Sequence, residues 1–595
     1  MKHRVVKASC FVAKIIFTNT PVFTILYCLA RILLALLPAY AIIISQRVID
    51  SLGIVAETGV SNGLWTAIIA LLVIEILQAL LNDLTGTISD FLRDKNEKFL
   101  TSIISEKLSK LGLWHLEDQN SLNTIHQVMQ SRYSFTSAFS TIFSGVIFKI
   151  ITFVSTLSVI FYYFPLVAVF YFLTTIPATV IGQIQNEKMV QFSIDSIPES
   201  RKKDYYYDIL TKGYFAKELR LYNLEKTMKD KFNASWKSIM AERSKIFHRG
   251  FFMLNISTLI SCIGYAGMYI FLIYKTFQGE LSIGGLTAFS GSVIVMSGCL
   301  NTIISSLLTY NRVYVNLITA VMDFFGWENE DTGNLQPLDA GGFDIEFQDV
   351  SFRYPGTDNM VLDGLSFRIH NAEKVALVGV NGAGKSTIVK LLLRLYEPDS
   401  GRILINGRDV HEYDISSYRK KFAACFQNVV HYSLTYAENI ALSDMARLND
   451  DEAIEKAAGA SGLGGIHEGW KEKLATPLTR RFSNEGVELS GGQWQKVGIA
   501  RAFFRDVPFV LLDEPSSALD PKAEDEIFSS FAALCGDKSG IIISHRLSSV
   551  MLVDTILFLE NGKIKESGTH EELMRLGGTY AKMYAMQAEK YRIES

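Results

Sequence analysis

Residues Lys374 to Lys390 constrain the fold more than any other stretch. The run opens apolar and β-prone with Val375, Ala376, Leu377 and Val378. It turns through Gly379-Val380-Asn381-Gly382-Ala383-Gly384-Lys385-Ser386-Thr387 and continues into a helical pattern with Ile388, Val389, Leu391 and Leu392. A strand, then G-x-x-x-x-G-K-[ST], then a helix is a phosphate-binding loop in the context that gives the motif meaning. The glycines let backbone N–H groups converge on an anion, and the helix N-terminus adds unpaired donors and partial positive charge. Lys385 supplies a point charge for the β- and γ-phosphates, and the Ser386 hydroxyl is placed to ligate Mg²⁺. The plain alternative, a Gly-rich turn that happens to precede Lys-Ser, is weakened by the motifs that follow. The chain is expected to bind a nucleoside triphosphate.

Those motifs come in a fixed order. Phe509-Val510-Leu511-Leu512 has the pattern of a buried strand and ends in Asp513-Glu514. Asp513 can hold Mg²⁺ through water, and Glu514 is placed to polarise an attacking water. Two solvated acids ending a strand is the weaker reading, given the neighbouring Pro515-Ser516-Ser517-Ala518-Leu519-Asp520. Leu489-Ser490-Gly491-Gly492-Gln493 opens another helix, from Trp494 to Phe504. A serine and two glycines at a helix start form a second phosphate-binding terminus. One nucleotide does not need two such termini on one chain. A symmetric pair, in which each copy offers this terminus to its partner's nucleotide, uses both.

The chain has 595 residues, too many for one core, and 49% of them are hydrophobic, including 38 Phe. The excess is concentrated in the first half, which carries long uncharged runs, and from Phe343 onward short strands alternate with helices. The net charge of −3 offers no basic field for nucleic acid. The six cysteines are scattered without metal spacing and read as reduced fillers. An apolar run from Val22 to Ile44 follows Lys2, Arg4, Lys7 and Lys14. It is longer than the core of a signal peptide, so it reads as an uncleaved first membrane helix. Further spans are expected at about 64–85, 138–162, 166–186, 251–274 and 283–308, with Pro165 breaking the third from the fourth. Lys and Arg crowd residues 93–110 and 186–250 but are nearly absent from 50–63, the turn at Pro165 and 275–282. The positive-inside rule then puts both termini in the cytosol. The two inner loops keep helical patterning, and a helix running ~20 residues past the bilayer reaches roughly 30 Å into the cytosol. Four such extensions are expected, joined near Leu113–Asn123 and Tyr214–Asn223. The fold class is therefore an all-α, six-span membrane domain (1–326), a polar linker (327–342) and an α/β P-loop cassette (343–595).

At this point Tyr354, Gly379–Thr387, Gln427, Leu489–Gln493, Asp513-Glu514, Asp520 and His545 together resemble the full motif set of an ATP-binding cassette protein. With six preceding spans, the whole chain resembles an ABC exporter half-transporter of the type IV fold. By that resemblance ATP and Mg²⁺ are the ligands, and Tyr354 stacks on adenine. Gln427 senses Mg²⁺ and water, Asp520 orders the dimer interface, and His545 contacts the γ-phosphate. The segments near Trp114 and Glu218-Leu219-Arg220-Leu221 resemble coupling helices that dock on the cassettes. One departure is the run Phe482-Ser483-Asn484-Glu485-Gly486, where exporters usually carry Gly-Glu-Arg/Lys-Gly. The runs Glu485–Lys496 and Leu434–Ile440 are worded like those of peptidase-less lantibiotic exporters of the nisin type. With ~20 residues before the first span, no protease domain is expected there, and any peptide cargo is expected not to be trimmed by this chain.

The expected partner is a second half-transporter, and because Glu514, His545 and Leu489–Gln493 are all intact, a homodimer is preferred over a heterodimer. A bacterial cytoplasmic membrane is the expected location. The expected cargo is a (lanti)peptide, with a lipid or amphipathic drug as the runner-up. An importer permease fits the fused cassette and long cytosolic loops less well, and a soluble cassette ATPase of DNA repair or translation does not fit the six spans. A cassette-regulated channel or sensor would be excluded by steady ATP turnover coupled to cargo flux. Within the spans, Glu75, Gln78 and Asn82 share one helical face, which either lines a water-filled cavity or holds helices together. Arg31 and Lys149 are expected to snorkel to the headgroups.

Overall fold

The computed structural model describes residues 2–58, 63–163, 180–182, 184–185, 188–189, 191–192, 195–330, 333–336, 343–515, 521–536, 538–544, 551 and 553–593. The chain separates into two compact units. One contains Met1–Ser109 and Asn123–Trp327; the other contains Lys110–Leu122 and Glu328–Ser595. The short connector after the Leu64–Ser109 helix therefore belongs with the cassette, although it lies inside the 1–326 stretch.

The first unit is helical. Among the described residues, five helices are long and apolar enough to cross a membrane: Pro21–Ala56, Leu64–Ser109, Ser134–Phe161, Glu225–Phe277 and Ile283–Thr309. The expected span at 166–186 falls mostly outside the described residues. In lipid only closed backbone hydrogen bonding is tolerated, which is why these runs are helices. The Leu64–Ser109 and Glu225–Phe277 helices run 46 and 53 residues, well beyond a bilayer's ~20. Their polar ends carry the extensions expected from the sequence, which break at 110–118 and 212–224. Two features are additional to the expected spans. Lys2–Asn19 is itself a helix, and Phe143–Ile147 forms a π-helical turn inside the third span. The Pro21–Thr58 helix packs on Leu64–Ser109, and Ile283–Thr309 packs on Phe148–Tyr163 around Ile160, Phe289, Val293 and Met296. Asp50 Oδ1 accepts from the Gly284 N–H at 3.0 Å, which satisfies an orphan donor at the start of the last long helix. A Cβ at Gly284 would lie 2.4 Å from that oxygen, so the position admits no side chain.

The second unit holds two sheets. Strands β1 (Ile345–Phe352), β2 (Leu362–Ile369), β4 (Ser400–Ile405) and β5 (Arg408–Asp409) form an antiparallel sheet in the order β2-β1-β4-β5. The second sheet runs β10-β9-β3-β8-β7-β6. Its parallel core is β3 (Lys374–Gly379), β6 (Phe422–Cys425), β7 (Phe509–Asp513), β8 (Ser539–Ile543) and β9 (Thr555–Glu560), with β10 (Lys563–Gly568) antiparallel at the edge. Every residue of β7 and β8 is buried, as expected for parallel strands covered on both faces. Register places Leu377 and Asp513 level with Ile543 on the strand between them. The carboxyl ends of β3 and β7 thus open onto the same rim, where parallel α/β sheets bind ligands.

Residues Lys110–Leu122 join this unit through specific bonds. Leu113 packs on its core, Glu330 N–H donates to Lys110 O at 2.8 Å, and Glu117 accepts from the Tyr396 hydroxyl. Glu330 is held in turn by a two-pronged Arg419 contact at 2.8 and 2.9 Å. In the first unit the other connector carries exposed tips, with Tyr214 at 90% and Leu221 at 71% exposure.

Candidate nucleotide site

The loop after β3 needs backbone that only glycine adopts without strain. Gly379, Gly382 and Gly384 have φ of 153°, 80° and 100°. A Cβ at Gly379 would sit 2.2 Å from the Leu559 carbonyl oxygen, and one at Gly384 would sit 2.6 Å from Leu362 Cδ2. The loop leads directly into the Lys385–Leu392 helix. Loop and helix start line a cleft of about 700 Å³ together with Tyr354, Val361, Gln427, Glu514, Met583 and Gln587.

Lys385 is 5% exposed and its Nζ donates to Gly379 O at 2.9 Å and Val380 O at 3.0 Å. Burial lowers its pKa, and the Glu514 and Asp513 carboxylates partly oppose that. A phosphate beside the amine would oppose it further, so the site is electrostatically ready for an anion. Burial raises the pKa of Asp513, at the end of β7, while its hydrogen bond from Ser386 Oγ at 3.1 Å works the other way. A hydroxyl and a buried carboxylate held together on the phosphate side supply the hard oxygens Mg²⁺ takes, so these two residues fit that ion. Glu514, next in sequence, has a left-handed φ of 49°. Its N–H bonds Ile543 O at 3.1 Å, and its carboxylate accepts from Gln427 Nε2 at 2.6 Å. A strained backbone at this point turns the side chain out of the strand direction and into the cleft.

Tyr354 follows β1, and its hydroxyl lies 3.0 Å from Thr387 Oγ1. Lys390 Nζ donates to that hydroxyl at 3.3 Å and stands 5.0 Å from the ring centroid, while Tyr396 meets the ring edge-on. The tyrosine is thereby fixed at the cleft wall.

The structure thus brings Tyr354, Gly379, Asn381, Gly382, Ala383, Gly384, Lys385, Ser386, Thr387, Gln427 and Glu514 to one cleft, with Asp513 bonded to it. Ser490, Gly491, Gly492 and Gln493 are not part of its lining. They start the Gly491–Phe504 helix as a capping box, in which Ser490 Oγ accepts from Gln493 N–H and Gln493 Oε1 accepts from Ser490 N–H. Asp520 and His545 lie outside the described residues, His545 two positions beyond the end of β8. Met583, Gln587 and Lys390 had not been singled out. The first two sit four apart on the Thr579–Ile593 helix, some 200 residues from the loop they face, with no local motif to mark them.

A family profile described as ABC transporter matches residues 362–517. The chain is 32% identical over 573 residues to the subtilin transport ATP-binding protein SpaT of Bacillus subtilis, covering 93% of this chain and 89% of SpaT. It is 27% identical to the nisin transport ATP-binding protein NisT of Lactococcus lactis subsp. lactis, over 96% of this chain and 94% of NisT. An ATP-dependent lipid A-core flippase of Burkholderia orbicola is 32% identical over 64% of this chain and 62% of its own length. A bacterial Atm1-family ABC exporter solved with ATP bound superposes with a TM-score of 0.76 at 23% identity, over 94% of this chain and 98% of that one. The chain belongs to the ABC transporter family: it is an ATP-hydrolysing, membrane-integral exporter of the half-transporter type, with its helical membrane domain and its cassette on one polypeptide.

Proposed function

We propose that this exporter carries a peptide of the lantibiotic class outward across the cytoplasmic membrane, working as a pair of half-transporters. The observation that carries the cargo assignment is the extent of similarity. SpaT and NisT align from end to end, membrane half included, whereas the flippase match covers 64% of the chain. Cargo is read by the membrane half, so similarity there weighs more than similarity in the cassette.

In this reading Tyr354 stacks on adenine, and the Gly379–Thr387 loop with Lys385 holds the phosphates. Ser386 and Asp513 hold Mg²⁺, which neutralises phosphate charge, with Gln427 nearby. Glu514 accepts the proton of the attacking water and Gln427 orients its carboxylate. By the family resemblance Asp520 orders the dimer interface and His545 contacts the γ-phosphate. Ser490, Gly491, Gly492 and Gln493 of the second copy close over the nucleotide, which is why they do not line the cleft of their own chain. Two intact sets favour a homodimer. The bonds of Lys110–Leu122 within the cassette unit give nucleotide-driven motion a route to the Leu64–Ser109 helix, which this connector follows directly in the chain. Arg and Lys placement puts both termini in the cytosol.

The test is ATP-dependent uptake of candidate lanthipeptides into inside-out vesicles, with Glu514→Gln as the inactive control. Accumulation with the wild type alone supports peptide export. Transfer of labelled lipid without peptide accumulation replaces the peptide with the runner-up cargo.

A further inference from the structure

Arg31 and Lys149 converge on one pocket. The Pro21–Thr58 helix, the Leu64–Ser109 helix and the third span meet around a pocket of about 160 Å³ in the membrane unit, and both cations line it together with Gln78, Asn82, Ser144 and Thr152. Two charges within membrane-crossing helices are costly unless something answers them. No Asp or Glu lines the pocket. Glu75, three residues before Gln78 on the same helix, is exposed and not part of the lining. Among the described residues neither cation forms an ion pair, and Arg31 Nε is sealed from solvent without a hydrogen-bond partner. The guanidinium is instead positioned over the Tyr27 ring, 5.4 Å from its centroid. That ring is itself pinned by its hydroxyl's 2.6 Å bond with Ser144. Thr152 Oγ1 is already committed to Phe148 O. What remains to face a ligand is a guanidinium, an ammonium and two amides, a donor-rich set of net charge +2.

Such a set selects an anion, and the volume admits one small charged group rather than the body of a cargo. We propose that Arg31, Lys149, Gln78 and Asn82 form a subsite for a carboxylate of the transported peptide. This rests on the peptide-export reading above. A planar guanidinium, in a pocket that two amides also line, matches the two oxygens of a carboxylate. The neutralised pair then lowers the cost of holding a charged peptide within the membrane domain.

The test uses the full-length transporter in nanodiscs of phosphatidylcholine. The probe is a fluorescently labelled 20-residue amphipathic peptide whose only charged side chains are Glu, compared with its Gln counterpart bearing a C-terminal amide. In the Arg31→Gln/Lys149→Gln variant the Glu peptide should bind about tenfold more weakly or worse, with the Gln peptide unchanged. The Arg31→Lys/Lys149→Arg variant, which keeps both charges, should recover much of the loss. A monodisperse elution profile and a melting temperature no lower than that of the wild type show that each variant is folded. Equal weakening of both peptides, or no weakening, overturns the subsite. In a parallel set of nanodiscs containing phosphatidylglycerol, loss of lipid-stimulated ATPase activity in the Arg31→Gln/Lys149→Gln variant with binding of both peptides unchanged assigns the pocket to a lipid phosphate and likewise overturns it. Failure of the wild type to bind either peptide removes the peptide reading and this subsite with it.

Discussion

Replacing Glu514 by Gln removes one proton acceptor at nearly constant volume, and the structure sets the expected size of the effect. The side chain is held by its left-handed backbone, by the N–H bond to Ile543 O and by Gln427 Nε2 at 2.6 Å. Two of these three constraints do not depend on the charge, so the amide keeps the carboxylate's place. A positioned general base is worth about 10²–10⁴ in rate, which at 1.36 kcal/mol per decade is roughly 3–5 kcal/mol of barrier. Nucleotide binding should not fall with it. The Glu514 charge is one of the influences raising the Asp513 pKa, so its removal leaves Asp513 more readily ionised. Phosphate release and binding of a fluorescent ATP analogue, measured on one preparation, separate the two quantities. The reasoning predicts turnover down at least a hundredfold with retained binding. Hydrolysis within a few-fold of wild type would remove Glu514 from the proton-accepting role, and lost binding would show that it holds the loop rather than the water.

Three further outcomes follow from the cassette geometry. Gly384→Ala places a Cβ against Leu362 Cδ2 at a φ of 100°; overpacking of this kind costs about 1–3 kcal/mol, visible as weaker ATP binding and a lower melting temperature. Tyr396→Phe deletes the hydroxyl bonded to Glu117. Its net cost is about 1 kcal/mol, and amide exchange should quicken across 113–122 while β3 and β7 stay protected. The His411 pKa is raised, chiefly by the hydrogen bond to Glu397 at 2.8 Å. A raised folded-state value means the pair contributes fully below the ordinary imidazole pKa of about 6.5 and fades as pH rises through the folded value. His411→Gln should therefore lower the melting temperature more at pH 6 than at pH 8, and an equal loss at both would show the histidine acts by packing alone.

What the sequence made legible was chemistry carried by neighbours along the chain. A phosphate loop is nine consecutive residues whose glycines are required by backbone angles, and Asp513-Glu514 ends a strand whose apolar run announces it. The five described spans were equally plain, because lipid demands long unbroken apolar helices. Less legible was anything decided by distant packing. Met583 and Gln587 reach the cleft from the last helix only because the sheet folds that helix back toward the loop. Lys110–Leu122 was legible as a connector, from the resemblance of the segment near Trp114 to a coupling helix, but its partners, Tyr396 for Glu117 and Glu330 for Lys110, lie far along the chain and were not. The π-helical turn at Phe143–Ile147 has no marker in its residues. Arg31 and Lys149 looked like headgroup anchors because convergence on one pocket depends on three helices 50 to 120 residues apart.

The central claim is that the Ser490–Gln493 terminus of one copy closes on the nucleotide held by the other. Asn381 and Gly491 are both exposed, and Gly491 has open space where a Cβ would go. Cysteines at these two positions, in a Glu514→Gln chain whose exposed Cys10 and Cys262 are replaced by Ser, can be joined with a short bismaleimide. The account predicts a covalent dimer on a denaturing gel that forms with ATP and Mg²⁺ and not without them. Monomer alone in saturating ATP, from protein that still binds the nucleotide, would contradict it.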